Sequence, residues 1–258
     1  MPKLKKLDQK QFTVCVNANA KKKDPPEDYK WLKFRNVENE NYIKNRVDRI
    51  WKKEKETIAW ISEFEKDSVF FDVGANIGLY CMYSAITHKN NVYAFEPHTP
   101  NYINLLDNIN ENRLFNCKAF PLALGEKTAL TTLGIKELTE GVSDSHVGQH
   151  SEYYHGCVEM SLDELVEKGT LPQPDYIKID VDGHEGKVVK GAISTISKCK
   201  SVLVELDLNQ HMVSYNKIIS VGLGPKIKVK RNKHEGSKIF NIIFEKGWKG
   251  AIHEYETK

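Results

Sequence analysis

The chain has 258 residues, 40% hydrophobic and 28% charged, and its 38 Lys and Arg against 35 Asp and Glu leave a formal net charge of +3. That length suits one α/β domain with an extension or two small domains, and no stretch approaches the ~18 apolar residues of a membrane span. The near-neutral total conceals a split: residues 1–55 carry 16 basic and 8 acidic side chains, 225–258 carry 9 and 4, and 56–224 carry 13 and 23. The apolar run 12–16 is shorter than the roughly 7–15 residues of a signal peptide, so the chain reads as not secreted. Five scattered cysteines without a C-x-x-C (Cys15, Cys81, Cys117, Cys157 and Cys199) fit reduced thiols in a cytoplasmic protein better than disulfides or a zinc site. No bound metal is expected.

Residues 1–40, with the Lys21-Lys22-Lys23 run and Pro25-Pro26, read as a basic arm with little secondary structure. From 41 to about 66, Ile43, Val47, Ile50, Trp51, Ile58, Ile61 and Phe64 recur at helical spacing and predict a helical region packed on the core. Glu54 and Thr57 fall on that apolar stripe, and buried polar groups need partners, so both are expected to look towards a ligand unless the helix breaks near Lys55 and exposes them. The rest, 67–258, reads as one domain of alternating strands and helices. Strands are predicted at 69–73, 91–95, 117–122, 176–181, 201–206, 226–230 and 240–245, with helices at 79–87, about 99–112, 161–169 and 185–197. Thr99-Pro100 marks one helix start, and Ser161 with Glu164 forms a capping box at another. Gly125 and the Thr-rich stretch after it predict a hairpin, and 141–156 reads as a long polar loop able to cover a site. The pattern is that of an α/β fold with a mostly parallel, doubly wound sheet and antiparallel strands at one edge.

The strongest local signal is Phe70-Phe71-Asp72-Val73-Gly74-Ala75-Asn76-Ile77-Gly78, a strand entering a glycine turn and then a helix. Gly74 permits the turn, Gly78 permits close approach of helix and ligand, and the helix start is expected to offer free N–H groups. The spacing is not G-x-G-x-x-G, and Asp72 would repel a pyrophosphate while suiting an ammonium or sulfonium ligand. That favours S-adenosylmethionine over NAD. Glu96 ends the second strand, 22 positions after Gly74, where a nucleotide cofactor needs an acceptor for its ribose hydroxyls.

Together with Phe95-Glu96-Pro97, Leu122-Ala123-Leu124-Gly125, Ser161-Leu162-Asp163-Glu164-Leu165 and Ile177-Lys178-Ile179-Asp180-Val181-Asp182-Gly183-His184-Glu185, this motif resembles the FkbM-type methyltransferases over about residues 50–246. The resemblance implies a Rossmann-like class I fold binding S-adenosylmethionine, and O-methyl transfer to a hydroxyl of a sugar, glycan or other small metabolite. By that likeness Gly74, Ala75, Asn76 and Gly78 would hold the methionine part, Glu96 the ribose, and Ala123 would lie by the adenine. Asp72 and Thr57 complete the expected cofactor set.

A central parallel strand should be almost wholly apolar, yet Lys178, Asp180 and Asp182 share one face, and Glu205 and Asp207 repeat the departure on the next strand. In the order 3-2-1-4-5, the strands bearing Asp72, Asp180 and Glu205 are neighbours, and ligands bind at their carboxyl edge. Lys178 alternatively pairs a buried carboxylate for structure alone. Methyl transfer mainly requires an aligned acceptor oxygen, and a base then takes its proton. His184, whose ordinary pKa of roughly 6.5 suits that task, is assigned as base, with Asp180 orienting it or the acceptor. Asp182 and Glu185 holding a divalent cation is the alternative. His146, His150 and His155 read as lid or acceptor contacts, and His98 as part of a helix start. Two further readings are an RNA ribose methyltransferase, which the acidic middle disfavours as a partner of a polyanion, and a non-catalytic cofactor-binding scaffold with a basic docking arm.

Overall fold

The computed structural model describes residues 11–15, 31–35, 43, 47, 54–136, 145–148, 151–231 and 238–256. Its centre is an eight-stranded sheet. Five strands run parallel: β3 (Val69–Val73), β4 (Asn91–Phe95), β5 (Cys117–Phe120), β10 (Tyr176–Ile179) and β11 (Ser201–Asp207). In space they lie β5-β4-β3-β10-β11, the order expected from the sequence. Beyond β11 come β13 (Ile239–Lys246), antiparallel to it, then β12 (Leu223–Lys230) and β14 (His253–Glu256). The antiparallel edge is therefore present, with β14 added outside it.

Alternation along the strands feeds two cores, one on each face. Phe70 and Leu203 pack with Trp60, Met82 and Leu105 on one side; Phe71, Val202 and Val204 pack with Leu165, Val188 and Ile218 on the other. The first face is covered by α1 (Lys55–Ser62), α2 (Leu79–His88) and α3 (Thr99–Glu111). The second is covered by α4 (Leu162–Glu167), α5 (Glu185–Lys190), α6 (Ile193–Ile196) and α7 (Met212–Ser220). Ser161 caps α4 as its sequence predicts, its hydroxyl accepting the Glu164 N–H. Glu164 itself bonds Thr128 and Lys168, so the reciprocal half of the box is not made.

Several expectations are corrected. The helix over 185–197 is two short ones, because Gly191 presses on the end of β6 (Ala123–Gly125): a Cβ there would stand 1.9 Å from the Gly125 carbonyl oxygen. No hairpin forms at Gly125, since β9 (Tyr153–Ser161) inserts between β6 and β7 (Ala129–Ile135). With β8 (Ser145–Val147) these make a four-stranded sheet in the order β6-β9-β7-β8, so part of the long polar loop is strand. Helix α7 was not anticipated. The arm also contains structure: β1 (Gln11–Cys15) and β2 (Trp31–Arg35) pair antiparallel, and Leu32 and Phe34 join the first core. The Lys21-Lys22-Lys23 run, His150 and most of 41–53 lie outside the described residues.

Candidate functional site

Between β3 and α2 the chain turns through Gly74 (φ 80°), Asn76 (φ 52°) and Gly78 (φ 95°). A Cβ on Gly74 would stand 1.9 Å from the Asp180 carbonyl oxygen, and one on Gly78 2.6 Å from Leu105 Cδ1. The glycines thus let β3 close on the end of β10 and α2 on α3; for Gly78 this packing replaces the expected approach of a ligand. The N–H groups of Gly74 and Ala75 both reach the Phe95 carbonyl, at 3.0 and 3.1 Å. Asn76 donates to Glu96 Oε2 at 2.8 Å, Ile77 to Asn76 Oδ1 at 3.0 Å, and Gly78 to the Ala75 carbonyl at 2.9 Å. All five loop N–H groups are spent within the protein, contrary to the expectation that this turn offers free donors.

The loop opens on a cavity of about 280 Å³. Of the residues singled out in the sequence, Gly74, Ala75, Asn76, Glu96, Ala123, Asp180 and His184 all line it, although they come from four separate segments. Asp72, Gly78 and Thr57 are buried but do not line it. Thr57 stands behind Glu54, its hydroxyl 3.4 Å from Glu54 Oε2, and Glu54 is the one that reaches the wall. The helix does begin at Lys55, yet both residues stay buried, because Glu54 finds Arg231 across the cavity.

Glu96 is held by main chain: Oε1 accepts the His98 N–H at 2.9 Å while Oε2 accepts that of Asn76. Burial pushes its carboxyl up to about 7 against the pull of these donors and of Asn101. His98 is the N-cap residue of α3, as expected of a helix start, and burial holds its imidazole down at about 4.

The opposite wall carries the charges that break the apolar rule of a central strand. Lys178, 1% exposed, lies 2.9 Å from Asp180 and 3.9 Å from Asp72, with its ammonium over the Tyr80 ring. The structural pairing weighed for Lys178 is therefore made. Arg231, just past β12, bridges Glu54 at 2.8 Å and Glu205 at 3.0 Å. Burial raises Asp72 to about 6, countered by Lys178, and raises Glu205 to about 8, with Asp180 adding to the effect and Arg231 opposing it. Asp207 does not line the cavity and instead binds the Asn209 N–H and the Gln210 amide.

His184 also lines the wall, but its partner is Glu159 on β9, with Nε2 3.2 Å from Oε1. This corrects Asp180 as the group that orients the ring, because Asp180 is turned to Lys178. Burial lowers the His184 pKa, opposed by Glu159. Glu185 Oε1 accepts the Val181 and Gly183 N–H groups, each at 3.1 Å, so it closes the turn rather than waiting on a cation. Among the described residues no group of three His, Cys, Asp or Glu side chains is arranged to hold a metal ion. His146 Nδ1 donates to the Asp182 carbonyl, 2.9 Å away, which brings β8 onto the rim, while His155 Nδ1 donates to the adjacent Gly156 carbonyl. Sequence reasoning missed Arg231, which lies beyond every motif, and Glu159, which stands two residues before the Ser161 capping box but on a strand that was not foreseen; their only signal is a charged residue beside apolar ones.

Residues 72–228 match the model of the methyltransferase FkbM domain. A hexuronic acid methyltransferase, AglP of Haloferax volcanii, is 30% identical over 161 residues, which cover 62% of this chain and 64% of that protein, so the match spans just under two thirds of the relative's length. Among solved structures, Trm5b of Pyrococcus abyssi shares the fold, with a TM-score of 0.50 at 11% identity over 84% of this chain and 54% of that one. A methyltransferase FkbM from Methylobacillus flagellatus has a TM-score of 0.47 at 18% identity, covering 71% of this chain and 44% of that one. The matched segment runs from Asp72 before the glycine turn through Lys178, Asp180 and Glu205 of the charged wall to Lys228, with Glu54 and Arg231 outside it, and the chain belongs to the methyltransferase FkbM family.

Proposed function

We propose that residues 67–258, with 41–66 packed on them and 1–40 as an arm, bind S-adenosylmethionine and transfer its methyl group to a hydroxyl of a sugar, glycan or other small metabolite. The observation that carries this reading is the hydrogen bonding of the glycine loop. A pyrophosphate needs free N–H groups, and every N–H of residues 74–78 is already spent. The cavity wall instead carries the carboxylates of Glu54, Glu96, Asp180, Asp182 and Glu205 against the cations of Lys178 and Arg231, a surplus that suits an ammonium and a sulfonium. The residues present therefore fit this cofactor. Glu96 would accept from ribose hydroxyls, Ala123 would lie by the adenine, and the loop would border the methionine part. Bound, the cofactor supplies an electrophilic methyl group. His184 would take the proton of the acceptor hydroxyl, and Asp180, steadied by Lys178, would orient that acceptor. The relative named for hexuronic acid supports a sugar-class acceptor, and the surplus of carboxylates weighs against a polyanion such as RNA.

Calorimetric titration tests the cofactor. S-adenosylmethionine is expected to bind and NAD not to, and Glu96→Ala should weaken S-adenosylmethionine about 10- to 100-fold, the worth of a hydrogen bond to a charged group. Equal binding of NAD, or an unaffected Glu96→Ala variant, would overturn the assignment. Methyl release over a panel of sugars, lipids and capped RNA then identifies the acceptor.

A further inference from the structure

Glu159 stands in the middle strand of the small sheet, registered with Ala123 on β6 and with Ala129 on β7. Both neighbours are small, and its side chain crosses over Gly125, where a Cβ would meet Oε1 at 1.6 Å. Gly125 does not have the positive φ that would itself call for glycine. What excludes a side chain there is the Glu159 carboxylate, so the residue choice at 125 serves to let Glu159 reach His184 on the far side of β6. Glu159 is 8% exposed and His184 7%, which keeps the contact largely out of water.

A carboxylate only accepts, so in the neutral ring the proton resides on Nε2 and the lone pair on Nδ1. Among the described residues no hydrogen bond reaches Nδ1, and His184 lines the cavity. We infer that Glu159 is a positioning residue of the transfer reaction, fixing the His184 ring so that Nδ1 serves as the base, and stabilising the imidazolium that results. The inference rests on the proposed role of His184. In the transfer the acceptor oxygen bonds to the methyl carbon, and the carbon–sulfur bond breaks with its electron pair left on sulfur. The hydroxyl proton passes to Nδ1, then to solvent. The charged groups facing the ring are Glu159 from β9 and Lys187 from its own helix; β6 brings no ionisable side chain, and His211, ahead of α7, faces Glu185.

The test uses the full chain with nitrogen-15-labelled histidine, together with steady-state rates on the acceptor found in the panel. Wild type should show the Nε2–H form of His184. Glu159→Gln keeps an acceptor of the same shape without the charge: the Nε2–H form persists, and both the His184 titration and the acidic limb of the rate profile move to lower pH. Glu159→Ala, and independently Gly125→Ala, should mix the two ring forms and lower kcat about tenfold or more, with S-adenosylmethionine affinity unchanged and Glu159→Gln lying between them and wild type. Ring form, titration midpoint and kcat all unmoved in Glu159→Gln and Glu159→Ala would overturn the inference. Unchanged turnover in His184→Ala would overturn the base assignment beneath it, whatever the spectra of the Glu159 variants show. A chain that methylates no member of the panel would count against the proposed acceptor class, while the spectra would still decide whether Glu159 holds His184.

Discussion

Lys178 occupies the centre of β10, registered against Asp72 on β3 and Leu203 on β11, and is almost wholly buried. Burial of an ammonium would lower its pKa, but Asp180, Asp72 and Glu54 reverse the sign and hold it above the usual lysine value. Lys178→Ala would leave Asp72 buried without its cation. It should destabilise the fold by about 3–5 kcal/mol, read as a lower urea midpoint. Replacing Asp72 as well, as Lys178→Met with Asp72→Leu, should recover most of that loss, since both desolvation penalties disappear together. Equal stability of Lys178→Ala and wild type would show that the pair carries no such weight. That Lys178 is out of place in a central strand is visible in the sequence. Which carboxylate it meets is not, because only strand register puts Asp72 directly opposite.

At the scale of elements, the N-terminal hairpin shows how a segment without obvious periodicity becomes structured. β1 and β2 have five residues each and are separated by fifteen, so neither produces a sustained pattern. Leu32 and Phe34 dock them by burial in the first core, and Asn112, the C-cap residue of α3, ties their backbone to that helix. Asn112 Oδ1 accepts the Lys33 N–H at 2.8 Å and its Nδ2 donates to the Lys33 carbonyl at 2.6 Å, as a neighbouring strand would. Asn112→Ala should loosen the hairpin by about 0.5–1.5 kcal/mol, the net worth of a hydrogen bond, since the exposed Lys33 groups can turn to water while Leu32 and Phe34 stay buried. Hydrogen exchange is then expected to speed up over 11–15 and 31–35 while β3 and β10 keep their protection; unchanged exchange in the hairpin would count against this tie. The same limit explains the missed insertion of β9 between β6 and β7. Local turn chemistry at Gly125 favours a hairpin, but Glu159 and the close contact with Gly191 belong to elements more than thirty residues away.

For the whole molecule, the charge split has a structural meaning. The acidic middle supplies the cavity carboxylates of Glu96, Asp180, Asp182 and Glu205, and the basic C-terminal region does not stand apart from it: Arg231 pairs with Glu205 as well as with Glu54 of the N-terminal region, and Lys226 lies 3.9 Å from Glu63. Gathering so many acids raises several of them: Glu96 and Glu185 to about 7 and Glu205 to about 8, each mainly by burial. A folded-state pKa above its unfolded value favours the fold while the proton is bound, so that stabilisation is lost as pH rises through it. The histidines work oppositely. His98, His184 and His211 are depressed, and their contribution is complete above roughly 6.5. Between about pH 6.5 and 8 the raised acids are thus the groups still titrating, and the melting temperature of the ligand-free chain should fall across that window, as scanning calorimetry would show. Glu205→Gln should flatten the upper part of the decline, and a rise over the window would contradict the sign.

Alternating apolar strands and helices, the glycine turn after Asp72 and the acid ending the second strand determine by themselves the α/β class, the strand order of the parallel half and the residues that gather at the glycine-loop end of the cavity. They do so because each depends on neighbours in the chain: strand pleat, turn conformation and the crossover of successive units are local physics. The partners of the charged wall were decided only by the tertiary structure. Arg231 reaches Glu54 across 177 residues, Glu159 reaches His184 across 25, and Asp180 turns to Lys178 instead of His184. Buried charges take whatever counter-charge the packed strands bring within hydrogen-bonding distance, and that choice is made by sheet register and element packing rather than by spacing along the chain.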